Sequence, residues 1–396
     1  MSSTTKTISP KEFIVFTSCS MVLTAIGIDI MLPAFADIRR HFGLAADTPE
    51  TSKLVTYFFM GQITQVVFGY LTDKLGRLSI IRLGALIYIV GGFATVLSPS
   101  INWMFAFRFL AGIGAAAVFM TSIASVRDRY VGDTMARMMS FIFSIFLFTP
   151  ILAPALGTLV LKYFSWQVVF LIPPSFGVLV FLWSFRINES LPKEARTNLK
   201  FSDVLVRLKT IISDLHFLRY VTVATLIFSV LSTYVSSSEY IIGEIYHKPM
   251  LFPYIFGGIG VLMAIFSLGN SYFSRKWGAR KALQYYLFIY FGFSALMVLV
   301  VNLWGDPPLM SVFFTLLAIL MAITLAADPN SSAIALEYMG DNAGLAASVY
   351  GTIFFFVGSG VGTIISGMLV GTVLPFAVAA ASISLLCALL VSFDKR

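Results

Sequence analysis

Charged residues are scarce in this chain of 396 residues. Asp, Glu, Lys and Arg make up 12% of the sequence, where about 25% is usual for a soluble domain. Hydrophobic residues make up 58%, and the mean hydropathy is +0.89. A soluble enzyme, a nucleic-acid-binding domain or a disordered chain would need more charge at its surface. The composition therefore excludes these three classes and indicates a membrane protein.

Cysteine and histidine are also rare. Two cysteines and three histidines are too few for a disulfide framework or a metal site, so we expect no metal and no cofactor. The sequence contains neither a Walker-type Gly-Lys-Ser/Thr loop for ATP nor the His-Glu-x-x-His motif of a metallohydrolase. These absences disfavour an enzyme and an ATP-driven pump.

Twelve apolar segments are long enough to cross a bilayer as helices, which takes about 20 residues each. Strands that span a membrane would alternate apolar and polar residues, and these segments do not. The sequence therefore predicts an all-α membrane protein with twelve transmembrane helices. We predict them at residues 13–37, 51–71, 79–98, 102–125, 138–162, 167–186, 219–244, 252–273, 283–303, 309–333, 343–371 and 373–392.

Basic residues fall mainly on one side of these segments. Of the 27 Lys and Arg residues, 21 lie in the terminal segments and even-numbered loops, 5 lie in odd-numbered loops, and Arg108 lies within a segment. Because basic loops stay in the cytoplasm, both termini are predicted to be cytoplasmic. The same bias explains the net charge of +8, so we expect a surrounding lipid bilayer and no nucleic-acid partner.

The longest polar stretch separates the first six segments from the last six. It predicts an N-terminal six-helix half at 1–186, a central cytoplasmic linker at 187–217 and a C-terminal six-helix half at 218–396. The sequence GYLTDKLG after the second segment resembles SYFSRKWG after the eighth, at an offset of 202 positions. This similarity favours two six-helix pseudo-repeats, an arrangement found in many secondary transporters.

Several motifs resemble the drug:proton antiporters of the major facilitator superfamily. Three lie in the loop after the second segment, in the fourth segment and in the first segment: Gly69-x-x-x-Asp73-Lys74-x-Gly76-Arg77, Arg108-Phe-Leu-Ala-Gly112-Ile-Gly114 and Gly27-Ile-Asp29-x-x-x-Pro33. A further run from Val126 to Trp166 resembles the bicyclomycin-resistance subgroup. The resemblance implies a monomeric, multi-pass transporter of the bacterial inner membrane that works by alternating access.

Asp29 lies inside the first segment, four residues before Pro33, which weakens the helix. A charge inside a membrane costs about 2.5–3.5 kcal/mol on insertion scales, so this acid needs a function or a partner. A carboxyl group exposed to alternate sides can bind and release a proton. The resemblance implies this function for Asp29, with Arg108 coupled to it. The alternatives are a permanent Asp29–Arg108 ion pair and an interfacial anchor at Arg108.

Two further acids lie inside segments of the second half. Glu239 follows three serines, 236–238, which predicts a wet wall; a position at the outer mouth is the alternative. Asp328 begins the polar run DPNSS, which predicts an unwound or kinked helix beside a cavity; a cytoplasmic helix cap is the alternative. Both acids, like Asp29, are candidate substrate-binding residues. Candidate pocket residues, with core packing as the alternative, are Tyr57, Met120, Tyr234 and Phe354.

Two regions are candidate gates. The loop after the second segment is expected to dock its acid on the N-terminal end of the eleventh helix, where amide groups attract an anion; a solvated turn is the alternative. Prolines in the fifth segment remove helix hydrogen bonds and suit a bending helix; tight packing is the alternative. The predicted gating residues are Asp73, Gly76, Arg77, Pro150, Pro154 and Gly157.

Together these features predict a proton-coupled secondary transporter. It is expected to export a small organic molecule, either a drug-like compound or a metabolite, across the inner membrane. A proton-coupled importer of a metabolite or siderophore-like solute is the alternative. The sequence does not specify the substrate.

Overall fold

The computed structural model describes residues 9–196 and 201–392, and the chain in these ranges is helical. The first half contains eight α-helices, which are α1 (Pro10–Asp29), α2 (Phe35–His41), α3 (Lys53–Gly61), α4 (Gln65–Leu75), α5 (Arg77–Val96), α6 (Ile101–Arg129), α7 (Gly132–Leu161) and α8 (Trp166–Trp183). The remaining helices are α9 (Phe201–Ser213), α10 (Leu215–Tyr240), α11 (Phe252–Trp277), α12 (Ala279–Trp304), α13 (Met310–Leu336), α14 (Ala343–Gly367) and α15 (Leu374–Ser392).

Twelve spans in the described ranges are long and apolar enough to cross a membrane, which confirms the predicted number. The first span consists of α1 and α2, the second of α3 and α4, and each later span is built on one helix. The first span ends at His41, beyond its predicted end at residue 37. Of the basic residues used to predict orientation, Lys6, Lys200, Lys395 and Arg396 lie outside the described residues.

A proline accounts for the break inside the first span, and glycines occupy the turns after the second and eighth spans. A 3₁₀ turn at Leu32–Ala34 separates α1 from α2, because Pro33 has no N–H group for a helix hydrogen bond. Gly76 joins α4 to α5 at φ 95°, and Gly278 joins α11 to α12 at φ 80°. Both glycines occupy backbone conformations that L side chains rarely adopt. They lie 202 positions apart, which is the offset seen in the sequence.

The helices of each half pack in a corresponding order. In the first half, α5 packs on α6 and α8, α3 packs on α6, and α1 packs on α6, α7 and α8. In the second half, α12 packs on α13 and α15, α11 packs on α13, and α10 packs on α13, α14 and α15. Contacts between the halves join α7 to α11 and α14 to both α3 and α4.

The bundle has two ends that matter for the site. We call the end that bears Pro10, Ser392 and the segment between α8 and α10 the linker end. We call the opposite end, which bears the turns after α2 and α10, the distal end. The helix α9 lies at the linker end and packs on α10 and α14.

Candidate functional site

Asp29 is the last residue of α1, immediately before the break at Pro33. Its side chain is buried, with 5% of the residue exposed. Within the described ranges, no basic side chain forms an ion pair with it. The acid therefore lies in the protein interior at a point where the first span loses regular helical hydrogen bonding.

The 3₁₀ turn that follows Asp29 contacts α10 of the second half. Tyr234 lies on this helix. The Tyr234 ring stacks on Phe256 of α11, with ring centroids 5.5 Å apart. Its hydroxyl group is buried without a hydrogen-bond partner in the described part of the chain. Asp29 thus lies at the boundary between the two halves.

Arg108 on α6 is buried, with 3% of the residue exposed, so it is not an interfacial anchor. Its Nη2 donates to the Gly27 carbonyl oxygen at 2.7 Å, and its Nε donates to the Leu54 carbonyl oxygen at 3.2 Å. The guanidinium also lies over the Phe58 ring, 4.4 Å from its centroid. Arg108 therefore joins α1, α3 and α6 through backbone carbonyls, two residues before Asp29, instead of pairing with that acid.

Asp328 lies in α13, which is a continuous helix from Met310 to Leu336 with Pro329 inside it. The polar run therefore does not unwind this helix, and the predicted alternative, a kink, stays a prediction. Neighbouring side chains satisfy Asn330 of this run, which donates to Asn270 at 2.8 Å and accepts from Ser274 at 2.7 Å. Asp328 itself is partly exposed.

The Asp328 carboxylate accepts a hydrogen bond from the Tyr350 hydroxyl group of α14, at 2.7 Å. The Tyr350 ring stacks on Phe354, with centroids 5.8 Å apart and an angle of 17°. The ring centroid of Phe354 in turn lies 4.3 Å from that of Phe228 on α10. Phe354, a predicted pocket residue, is therefore next to a predicted binding acid.

The rings around Phe354 connect the two halves. Phe59 of α3 lies 5.4 Å from Phe228 and 5.7 Å from Phe355, measured between ring centroids. We call the following five side chains the aromatic cluster: Phe59, Phe228, Tyr350, Phe354 and Phe355. Its centre lies near the middle of the spans that contribute it.

The other two predicted pocket residues lie in the first half. Tyr57 stacks on Phe105, with centroids 5.2 Å apart and an angle of 13°. Both Tyr57 and Met120 are partly exposed. Their contact with a substrate stays a prediction.

Glu239 lies near the distal end, where it forms a buried ion pair with Arg39 of α2. The two guanidinium nitrogens donate to the two carboxylate oxygens at 2.9 Å and 3.0 Å. Arg39 also donates to Glu244 at 2.9 Å and to Thr51 at 3.1 Å. Arg39 is 1% exposed. These contacts make a charged cluster that joins the two halves.

The three serines before Glu239 do not form the wet wall that their hydroxyl groups suggested. Ser236 and Ser237 are buried and share hydrogen bonds with Ser366 of α14, at 3.1 Å and 2.7 Å. Ser238 donates to the Val235 carbonyl oxygen. The hydroxyl groups are thus satisfied inside the packing of α10 on α14.

Arg77 organises the loop between α4 and α5. Its side chain donates to Asp73, and its Nε lies 2.8 Å from Oδ2 of Asp128 on α6. Its backbone N–H donates to Glu189 at 2.9 Å. Asp73 has 54% of its side chain exposed. The predicted dock of Asp73 on the eleventh span stays a prediction.

The candidate bending helix α7 is continuous through Pro150 and Pro154. A Cβ atom added at Gly157 would collide with the Ile30 carbonyl oxygen and touch Pro33. Near Pro150, α7 packs against Gly260 of α11. The helix therefore contacts the first span of its own half and the opposite half.

A family model described as Major Facilitator Superfamily matches residues 17–363. The chain belongs to the Major Facilitator Superfamily. It is therefore a transporter and not an enzyme, as the sequence predicted.

Known proteins of the superfamily agree with this membership. A bicyclomycin resistance protein homolog from Haemophilus influenzae is 29% identical over 373 residues, which cover 92% of this chain and 91% of that protein. The chloramphenicol resistance protein CraA from Acinetobacter baumannii is 28% identical over 195 residues, covering 49% and 46%. The solved xylose transporter XylE from E. coli has a TM-score of 0.76 at 12% identity, covering 98% of both chains. At that identity the likeness shows the fold alone.

Sequence reasoning missed the burial of Arg39 and its ion pairs with Glu239 and Glu244. Arg39 was counted as a loop charge because the apolar segment ends at 37. The sequence shows only Asp37-Ile-Arg39-Arg40, with two adjacent arginines. In the structure Arg39 is buried and Arg40 is exposed. A partner 200 positions away cannot be identified from that local pattern.

Proposed function

We propose that this transporter exports a small organic molecule across the bacterial inner membrane in exchange for protons, by alternating access. The molecule is a drug-like compound or a metabolite. Relatives named for resistance to bicyclomycin and chloramphenicol support this substrate class and the outward direction. The inward proton gradient supplies the energy, and each charge that crosses the field contributes roughly 2.3 kcal/mol per 100 mV.

Both termini and the linker end are cytoplasmic in this proposal. The excess of Lys and Arg at the linker end supports this orientation. The halves 1–186 and 218–396, with the linker 187–217 between them, move against each other as two pseudo-repeats. The corresponding packing orders and the two glycine turns 202 positions apart support the repeat.

Asp29 is the proton site, and one observation carries this assignment. It is a buried acid at the boundary between the halves, it has no basic partner among the described residues, and it ends a helix that Pro33 interrupts. An acid inside a membrane that is not neutralised by a cation is stable as the protonated form. When the halves move, Asp29 meets water from the other side and releases its proton.

Arg108 couples to this site by positioning. It binds the carbonyl oxygens of Gly27 and Leu54, so its charge fixes the backbone just before Asp29. A movement of α3 or α6 against α1 changes these two hydrogen bonds directly. The position of the Asp29 carboxyl group therefore follows the packing of the first, second and fourth spans.

The charged cluster of Arg39, Glu239 and Glu244 closes the distal end in this arrangement. Tyr240 adds a hydrogen bond to the Asp47 carbonyl oxygen, at 2.8 Å. Opening toward the distal side must separate Arg39 from Glu239, because they belong to opposite halves. At the linker end, Ser348 of α14 lies against Gly69 of α4, and docking of Asp73 on the start of α14 is the proposed closing contact.

Proteoliposomes with an imposed pH gradient test the function. Purified full-length protein is reconstituted, and radiolabelled chloramphenicol is measured in the lumen. With the lumen acidic, we expect chloramphenicol to accumulate inside against its gradient while protons leave. Accumulation in the direction of proton flow instead identifies an importer, and no response to the gradient excludes proton coupling.

A further inference from the structure

Asp328 is an acid of the second half that has no basic partner among the described residues. Its one hydrogen bond in those ranges comes from the neutral hydroxyl group of Tyr350, at 2.7 Å. Glu239 and Glu244, the other acids inside a described span of this half, both pair with Arg39. Asp328 therefore differs from them in what it offers to a ligand, because its carboxylate, when ionised, has no cation beside it in the described ranges.

The surroundings of Asp328 are aromatic. Tyr350 connects the carboxylate to the aromatic cluster, since its hydroxyl group binds Asp328 and its ring stacks on Phe354. Phe355 meets Phe354 edge to face, with centroids 5.1 Å apart at 89°. Asp328, Phe354 and Phe355 are partly exposed, whereas Tyr350 and Phe228 are buried. A carboxylate and two aromatic rings of one connected group are thus partly exposed.

This combination selects for one class of ligand. Ring faces carry negative electrostatic potential and attract cations within about 6 Å of the ring centroid. A carboxylate adds a full negative charge, and its strength increases where water is excluded. A small metal cation needs several oxygen ligands, which the rings do not supply. A bulky organic cation gains from both the charge and the rings, whereas a neutral aromatic compound gains from the rings alone.

We propose that Asp328, Tyr350 and Phe354 form a subsite for a lipophilic organic cation, separate from the proton site at Asp29. This inference rests on the proposed function and specifies a substrate class for it. The two acids lie on different helices, because Asp29 ends α1 of the first half, whereas Asp328 lies on α13 and accepts a hydrogen bond from Tyr350 of α14. Phe59 contributes to the cluster from the first half. Movement of the halves would therefore change the subsite as the transporter opens.

Equilibrium binding to the purified full-length protein in detergent tests the subsite. The probes are radiolabelled tetraphenylphosphonium, a lipophilic cation, and radiolabelled chloramphenicol, a neutral aromatic compound. We expect Asp328→Asn to weaken tetraphenylphosphonium binding at least tenfold and chloramphenicol binding less than threefold. Phe354→Leu should weaken tetraphenylphosphonium binding at least threefold, because it removes one ring face.

Two control variants separate charge from folding. Asp328→Glu keeps the charge and should bind the cation more tightly than Asp328→Asn does. Glu194→Gln removes a negative charge from an exposed position in the linker and should leave the binding of both probes unchanged. The melting temperature of each variant in detergent shows whether it is folded. If Asp328→Asn does not fold, the test is made with Asp328→Glu and Phe354→Leu instead.

Three outcomes overturn the subsite. They are unchanged cation binding in folded Asp328→Asn, an equal loss of both probes in that variant, and a wild-type protein that binds chloramphenicol but not tetraphenylphosphonium. In each case, proton-driven accumulation of chloramphenicol by the wild type would leave the proposed export function intact. Failure of the two proposals is therefore measured separately.

Discussion

Arg39 on α2 donates from both terminal nitrogens to both carboxylate oxygens of Glu239 on α10, at 2.9 Å and 3.0 Å. This bidentate pair is buried and lies between the two halves of the bundle. A π-helical turn at Ile241–Ile245 follows Glu239 and brings Glu244 to the same arginine. Because π turns are frequent at functional sites, the geometry of α10 here is consistent with a gate.

Removal of Arg39 should open the distal end. Breaking one partner of a buried ion pair costs about 3–5 kcal/mol, because it leaves the other charge unpaired. In Arg39→Gln, Glu239 and Glu244 lose this partner, and the closed arrangement is destabilised. The reporter is Thr363→Cys, because Thr363 lies next to Thr56. We expect this cysteine to react with an impermeant maleimide from the distal side at least tenfold faster in Arg39→Gln than in the parent. Cys19 and Cys387 are replaced by serine in this background.

Arg40 is the matched control for this measurement. It is the neighbouring arginine, but 79% of its side chain is exposed and it pairs with Asp37 on the same helix. Exposed pairs contribute about 0–1 kcal/mol. Arg40→Gln should therefore leave the labelling rate within twofold of the parent, and equal rates in the two variants contradict the gate.

Gly157 should tolerate no side chain. A Cβ atom there would collide with the Ile30 carbonyl oxygen on the first span, near Pro33. Overpacking of this kind costs about 1–3 kcal/mol, so Gly157→Ala should lower the melting temperature in detergent and slow transport. Gly258→Ala on α11 has open space around the new methyl group and serves as control. Equal melting temperatures for both variants would disprove the close approach.

Glu189 should stabilise the start of α5. Its carboxylate accepts the backbone N–H groups of Arg77 and Leu78, at 2.9 Å and 3.1 Å. Loss of such a cap costs about 0.5–2 kcal/mol. We expect Glu189→Ala to speed hydrogen exchange in the peptide that contains residues 77 and 78, as followed by mass spectrometry. Glu194→Ala, an exposed acid of the same linker, should not change that rate, and a similar effect of both variants argues against the cap.

The twelve spans and the break at Pro33 were predictable because they depend on local sequence. An apolar segment of about 20 residues has one stable form in a bilayer, and Pro33 has no N–H group for a helix hydrogen bond. Pro150 and Pro329 lack this group too, yet α7 and α13 continue through them, so a proline favours a break without requiring one. The end of the first span was less predictable. Arg39 is buried although it follows the apolar segment, because Glu239 and Glu244 neutralise it.

The environments of the candidate acids were not predictable from local sequence. Three serines before Glu239 suggested water, yet Ser366 on α14 satisfies two of them. The polar run after Asp328 suggested an unwound helix, yet Asn270 and Ser274 on α11 satisfy Asn330. In both cases the same polar groups can bind water or a distant side chain, and only the tertiary contacts distinguish the two.

Asp29→Asn should uncouple transport from protons without unfolding the protein. Asparagine has nearly the same shape, but it cannot exchange a proton, and no described cation loses an ion pair through the change. We expect gradient-driven accumulation of chloramphenicol in proteoliposomes to fall to the level of empty vesicles. Exchange of labelled for unlabelled chloramphenicol without a gradient should continue, because it needs the conformational change but no net proton movement.

The combination of the two measurements distinguishes the function of Asp29 from a structural one. A structural acid would lose exchange and accumulation together in Asp29→Asn, and the melting temperature would fall with them. Asp37→Asn, on the same span but paired with the exposed Arg40, should keep both activities because its charge faces the surface. Full accumulation by Asp29→Asn would show that protons are carried elsewhere, and Asp328 would then be the next acid to test because it too has no described basic partner.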